Sequence, residues 1–393
     1  MKRHVHFVAL AFLWTQNIVK YAAHILFEVI VMDVMYAYMP ESGELFVKQL
    51  KKSSILALYV IGSTLTSTIP GISIAGANPE ATLYTPTGDA EYLFYGKVVS
   101  FNVIPTTPDG IPTPAVITRA SLELLNIPFF VVNAGCYVHP KIPFIDVNGV
   151  VGNDIRTGNA MKYDDVIKIY ENSKLFGEKI GKLANTVLIG ESIPGGTTTT
   201  LAFLLALGYD AKYKISSASA YNPHDLKIKV AEEGLKNAKL SIEEARNDPL
   251  KAASKVGDPV MVAMAGLVDG IIKSDAYVLL AGGTQMSSVI ALLKHKNVGL
   301  DKIAIGTTKW IISDRNSDIV GLISQIGKVP IIATTLDFSK SEFYGLKAYE
   351  NGYVKEGVGA GGTALVSQIK FELSSSDLAN KIENEYKKLI SKK

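Results

Sequence analysis

The chain has a single cysteine, Cys136, in 393 residues. No intramolecular disulfide can form, which excludes cross-linked secreted scaffolds and points to a cytoplasmic compartment. A lone thiol has two common uses, nucleophile or small buried hydrophobe, and the second is commoner. Charge of one sign is scarce as well: the formal net charge is +3, and no Lys/Arg cluster is interleaved with aromatics. That argues against nucleic acid as a partner. None of the six histidines (His4, His6, His24, His139, His224 and His295) stands with cysteines or carboxylates at metal-ligand spacing, so no metal is expected. The Gly-x-Gly-x-x-Gly dinucleotide fingerprint and the Gly-x-Ser-x-Gly elbow are both missing. A nicotinamide dinucleotide and a serine hydrolase both lose ground, and no organic cofactor is expected.

A clean membrane span is missing too. Lys2-Arg3 followed by the apolar run Phe7 to Trp14 imitates a signal peptide, yet no small-residue cleavage site follows. Lys20, Glu28 and Asp33 interrupt the apolar pattern of residues 1 to 39. This leader is read as an addition upstream of a globular chain that starts near Met39, with no membrane partner. Residues 40 to 393 exceed the usual single-domain size, and a hydrophobic content of 48% is enough for a sizeable core. The expectation is one α/β domain with a smaller helical domain appended from the terminal segments.

The chain is organised around Leu188 to Leu205, with its lead-in from Thr186. Thr186-Val187-Leu188-Ile189 is a short β-branched run that reads as a buried strand. It is followed by Gly190-Glu191-Ser192-Ile193-Pro194-Gly195-Gly196, and Thr197 to Leu207 then reads as a helix. Strand, glycine loop and helix start together make an anion site, because glycines admit a phosphate to the backbone and free N–H groups face it. The spacing comes within one residue of a P-loop, but Gly196 stands where the lysine should be. A monophosphate suits such a loop better than a triphosphate. The alternative is a glycine turn that only packs a helix on a sheet.

Around that stretch the same grammar repeats. The strand Ile55 to Ile61 ends in Gly62-Ser63-Thr64, and Phe129 to Val132 ends in Asn133-Ala134-Gly135. Ala276 to Leu280 runs into Gly282-Gly283-Thr284, Lys302 to Ile305 into Gly306-Thr307-Thr308, and Val329 to Ala333 into Thr334-Thr335. Strands that finish in small polar residues on one edge predict a mostly parallel, Rossmann-like sheet flanked by helices, with its ligand at that edge. Helices are predicted over Pro114 to Leu125, Tyr163 to Leu183, Leu226 to Arg246 (a lysine- and glutamate-rich outer face), and from Pro259 through Ile272. Pro70 to Gly88 reads as a long loop of functional rather than idle character, and Val98 to Val103 as a strand.

A second acid stands in Lys355-Glu356-Gly357-Val358-Gly359-Ala360-Gly361-Gly362-Thr363-Ala364. Glycine this dense does not hold a helix, so Glu356 is no helix-surface charge; it sits in a turn, idle or functional.

These motifs carry a resemblance. Gly190-Glu191 with its glycines and threonines is similar to the Gly-Glu-Met-Gly-Ile-Gly-Asn-Thr-Thr loop of nicotinate-nucleotide–dimethylbenzimidazole phosphoribosyltransferases. Val256-Gly257 with Val262-Ala263-Met264-Ala265-Gly266 resembles their Val-Gly-Gly-Phe-Glu-Ile-Ala-Ala-Met-Ala-Gly, and Glu356-Gly357-Val358-Gly359-Ala360 their Gly-Glu-Gly-Thr-Gly-Ala. The matches keep the family's order and span residues 186 to 365; the Gly-Glu-Ser-Ile-Pro-Gly-Gly form and the segment Ile61 to Glu80 resemble its divergent archaeal branch. Asp258 replaces the second glycine of the bacterial pattern and Gly196 its asparagine.

The resemblance implies transfer of a 5-phosphoribosyl group from nicotinate mononucleotide to a benzimidazole-type or purine base, giving an α-ribotide for a cobamide lower ligand. It implies Glu356 as general base and Glu191 as second carboxylate. Phosphate and substrate contacts are expected from Gly190, Gly195, Gly196, Thr197, Thr198, Lys255, Gly257, Gly282, Gly283 and Thr284. Ser63, Thr64 and Asn133 are expected near the base, and a homodimer is a candidate assembly. A non-catalytic nucleotide- or ribotide-binding module is the alternative, with a nucleotide hydrolase as a third reading.

Overall fold

The computed structural model describes residues 34–107 and 109–391; the apolar leader, up to residue 33, lies outside the described residues. Eight strands are described: β1 (Val34–Tyr38), β2 (Ile55–Ile61), β3 (Phe129–Asn133), β4 (Ile145–Asp146), β5 (Thr186–Ser192), β6 (Tyr277–Ala281), β7 (Ile303–Thr308) and β8 (Ile331–Thr334). They form one sheet in the order β1-β8-β7-β6-β5-β2-β3-β4. Only β1 is antiparallel to its neighbour; the other pairings are parallel. This is the mostly parallel, helix-flanked α/β sheet expected from the strand ends.

Burial on both faces explains why the strands read as unbroken apolar runs rather than alternating ones. In β2, Leu56, Leu58 and Val60 enter one core while Ile55, Ala57 and Tyr59 enter the other. The first core is covered by helices including Tyr163–Ile180, Gly196–Ala206 and Pro259–Ile272. The second is covered by Pro40–Lys52, Ala115–Leu125, Ala360–Phe371 and the C-terminal Ser375–Ser391. The terminal helices therefore pack on one face of the main sheet and share its core.

From β5 the chain proceeds outward through β6, β7 and β8, and from β2 it proceeds the other way through β3 and β4. The strand order thus reverses between β5 and β2, and open α/β sheets bind ligands at the carboxyl ends beside such a switch point. No helix among the described residues is long and apolar enough to cross a membrane.

Four local expectations are corrected. Val34–Tyr38, assigned to the leader, is an edge strand paired with β8. Val98 to Val103 forms no strand. The expected loop to Gly88 closes into a 3₁₀ turn, Glu80–Tyr84, and a helix, Thr85–Tyr95, opened by Pro86. The long helix ending at Arg246 is two helices, His224–Ala238 and Ile242–Asn247. Lys239 terminates the first in the left-handed region, and the Ser241/Glu244 capping box starts the second.

Candidate active site

β5 keeps the alternation of a strand buried on both faces up to its end. Gly190 shares the side of Leu188, and Glu191 shares the opposite side with Val187 and Ile189. The chain then turns through Gly195, which at φ +83° and ψ −11° needs the left-handed region, and Gly196–Ala206 begins. A Cβ on Gly195 would lie 3.0 Å from the backbone nitrogen of Ser67. In front of this helix start is a cavity of about 470 Å³, a size that suits small-molecule ligands.

Both acids reach it. Glu191, 4% exposed, accepts the Ile193 N–H at 3.2 Å and a bond from Gln285. Its carboxyl is pushed well above the usual range by burial first, then by the neighbouring carboxyls of Glu356 and Asp258. Glu356 opens to the cavity from the loop before Ala360–Phe371, and accepts the Gly361 N–H at 2.9 and 3.0 Å. A helix N-terminus favours the charged carboxylate, but burial outweighs it and raises Glu356 to about 8.

The loop that delivers Glu356 is strained. Val354 (φ 62°), Lys355 (φ 57°) and Val358 (φ 53°) are all left-handed, as are Gly357 and Gly359. Each non-glycine residue costs about 1–2 kcal/mol there, and a β-branched one is rare. The surrounding bonds hold it: Val354 N–H to Ala218 O, Val358 N–H to Glu191 O, and Thr308 Oγ1 to Lys355 O at 2.6 Å.

Glu191, Glu356, Gly195, Gly196, Thr197, Gly283 and Thr284 line one cavity together. Gly190 stands behind it: a Cβ there would lie 2.7 Å from Gly359 Cα, so this glycine lets strand and loop touch. Gly282 is packed against Met286, and Thr198 is buried with its hydroxyl unpartnered. Lys255 is a correction: it bonds Asn159 at 2.7 Å on a separate groove with Lys251 and Lys162, and Gly257 ends the helix Pro249–Val256 next to it. Asp258, in place of the bacterial glycine, caps Pro259–Ile272 and receives the Thr199 hydroxyl.

The three residues expected at the base are also corrected, because their polar groups are consumed locally. Ser63 donates to Leu83 O at 2.8 Å, Thr64 caps a 3₁₀ turn, and Asn133 accepts the N–H groups of Gly135 and Cys136. The rest of the lining comes instead from residues 72–77, Tyr84, Val98, Phe101, residues 103–107 and 111–114, with Phe101, Val103, Ile104 and Ile111 among its apolar members. Cys136 is buried, and burial pushes its thiol far up.

Other cavity residues carried no sequence signal. Asp89, 3% exposed, accepts the hydroxyls of Ser192 and Thr113, each at 2.7 Å, and burial raises it to about 6. Ser216, Ser217 and Ala218 also line the cavity. Behind them lie two buried cations. Lys227, 1% exposed, donates to Ser216 O at 2.6 Å and is lowered to about 7 by burial and by Lys355. No Lys, Arg or His is part of the described cavity lining itself.

No protein-family model matches the chain. Relatives do. A UPF0284 protein of Sulfolobus acidocaldarius is 50% identical over 335 residues, 85% of this chain and 94% of the relative. Another, from Sulfurisphaera tokodaii, is 45% identical over 342 residues, 87% and 95% of the two chains. The chain belongs to the UPF0284 family. Among solved structures, its fold is like that of a CobT from Thermus thermophilus, with a TM-score of 0.56, 15% identity and coverage of 84% and 83%. It is also like a nicotinate-nucleotide-dimethylbenzimidazole phosphoribosyltransferase of the same organism, with a TM-score of 0.51, 15% identity and coverage of 84% and 82%. This UPF0284 chain therefore has the fold of the enzymes its motifs resemble.

Proposed function

We propose that this UPF0284 protein transfers the 5-phosphoribosyl group of nicotinate mononucleotide to a benzimidazole-type or purine base. The observation that carries the reading is a pair of acids at one cavity, Glu191 buried and Glu356 half-buried, both with raised pKa values. A site that only gripped a nucleotide would gain nothing from two carboxyls in need of a proton or a cation.

In this scheme the donor phosphate lies at the starts of Gly196–Ala206 and Met286–His295 and against Ser216 and Ser217. Lys227 supplies positive charge from behind, through Ser216. The acceptor occupies the apolar wall. Its ring nitrogen attacks C1′, the bond from C1′ to the nicotinate ring nitrogen breaks, and that electron pair neutralises the pyridinium. Glu356 takes the acceptor's N–H proton, and attack from the opposite face inverts the anomeric centre. The donor's cationic ring also favours ionised acids, so binding itself pulls Glu356 below its resting value and readies the base. Glu191 stabilises the positive charge that spreads over the ribose.

Incubation with nicotinate mononucleotide and a panel of benzimidazoles and purines tests this by mass analysis. An α-ribotide with one equivalent of nicotinate released is the expected result. Nicotinate release without acceptor would favour hydrolysis, and binding without any product would favour the ribotide-binding module.

A further inference from the structure

The strain around Glu356 needs something to hold it, and besides the backbone bonds one buried ammonium reaches three segments around the loop. Lys355 is 2% exposed. Its Nζ donates to Gly352 O at 2.9 Å and to Ser219 O at 3.2 Å, and lies 3.4 Å from Asp314 Oδ2. It thus ties together its own loop, the 216–220 segment at the cavity and the turn after Lys309–Ile312. A buried ion pair is poor evidence for stability, since two desolvated charges repay little.

We propose that Lys355, paired with Asp314, is a positioning residue that holds the Glu356 carboxyl at the cavity without touching substrate. The proposal rests on the transferase reading for its kinetic consequence but not for its structural one. The charged or titratable groups around the pair are Lys227 and His224 on the helix His224–Ala238. Around Glu356 they are Glu191 on β5 and Tyr349 on Tyr344–Glu350. None of these supplies a substitute cation within the Glu356 loop.

Lys355→Met removes the charge and keeps the length of the side chain. The expected result is kcat reduced about 10–100-fold, with KM for the donor changed less than about threefold. Glu356, read by ¹³C-carboxyl NMR and assigned by its loss in Glu356→Gln, should titrate nearer the ordinary carboxylate range, because a released loop hydrates it. The double variant Lys355→Met/Asp314→Asn leaves no orphaned buried charge and should recover the melting temperature while kcat stays low. Unchanged kcat together with an unchanged Glu356 titration in a folded variant overturns the proposal. So does recovery of kcat in the double variant, which would make the pair only a scaffold. If the parent transfers nothing to any base, the transferase reading fails, and the NMR titration still decides the positioning role.

Discussion

At the scale of the residue, Glu356 is where chemistry and stability pull apart. If it accepts the proton in the transition state, Glu356→Gln keeps the shape but lowers kcat by about 10²–10⁴-fold, with donor affinity little changed in calorimetry. The parent kcat/KM should fall tenfold per pH unit below about 8 and level off above it, since only the ionised acid is a base. The same burial acts on the fold with the opposite sign. Glu356 holds its proton to about 8 in the native chain, against an ordinary value of 4.5, so between those values the native state binds more protons than the unfolded one. Stability is then lost as pH rises through that window. Glu356→Gln should therefore raise the melting temperature more at pH 8.5 than at pH 5, as scanning calorimetry can measure. An equal shift at both values would mean that the carboxyl is not desolvated in solution.

At the scale of the element, the helix starts and the glycines that seat them decide the site. Gly195→Ala forces a Cβ into a left-handed turn and against Ser67, so nucleotide affinity should fall about tenfold or more while the fold persists. Parent-like binding of nicotinate mononucleotide by that variant would reduce the loop to a structural turn. Gly190→Ala pushes a side chain against the backbone of Gly359. Overpacking of this kind costs about 1–3 kcal/mol, and both melting temperature and turnover should drop. The strand ends and both acids were legible because glycine and a charged residue interrupt apolar runs only where backbone geometry or chemistry requires it. The apolar wall was misread, since the run Val98 to Val103 reads as a strand while its backbone is irregular. Lys227 was hidden for another reason: on a helix rich in lysine, the local pattern does not tell which one turns inward. Ser63, Thr64 and Asn133 misled because small polar residues at strand ends serve turns as readily as ligands.

At the scale of the whole molecule, one edge of the sheet is a short, bulged antiparallel strand from the beginning of the described chain. β1 covers β8, whose backbone groups would otherwise be an open template for another chain. A protein starting at Met39 should melt lower and aggregate sooner than the full chain, by scanning calorimetry and light scattering. Equal behaviour of the two would make β1 dispensable.

The close approach of Gly190 to Gly359, with that of Gly306 to Gly362, leads further. Backbone meets backbone there, so the half of the cavity that carries the acids has almost no sequence it can exchange. Residues 98–107, also in the lining, are irregular chain with apolar side chains, where substitutions meet less resistance. Such a molecule can drift in what it accepts while keeping what it does. On the transferase reading proposed above, a library confined to residues 98–107 should therefore yield variants with new acceptor preferences and parental pH dependence.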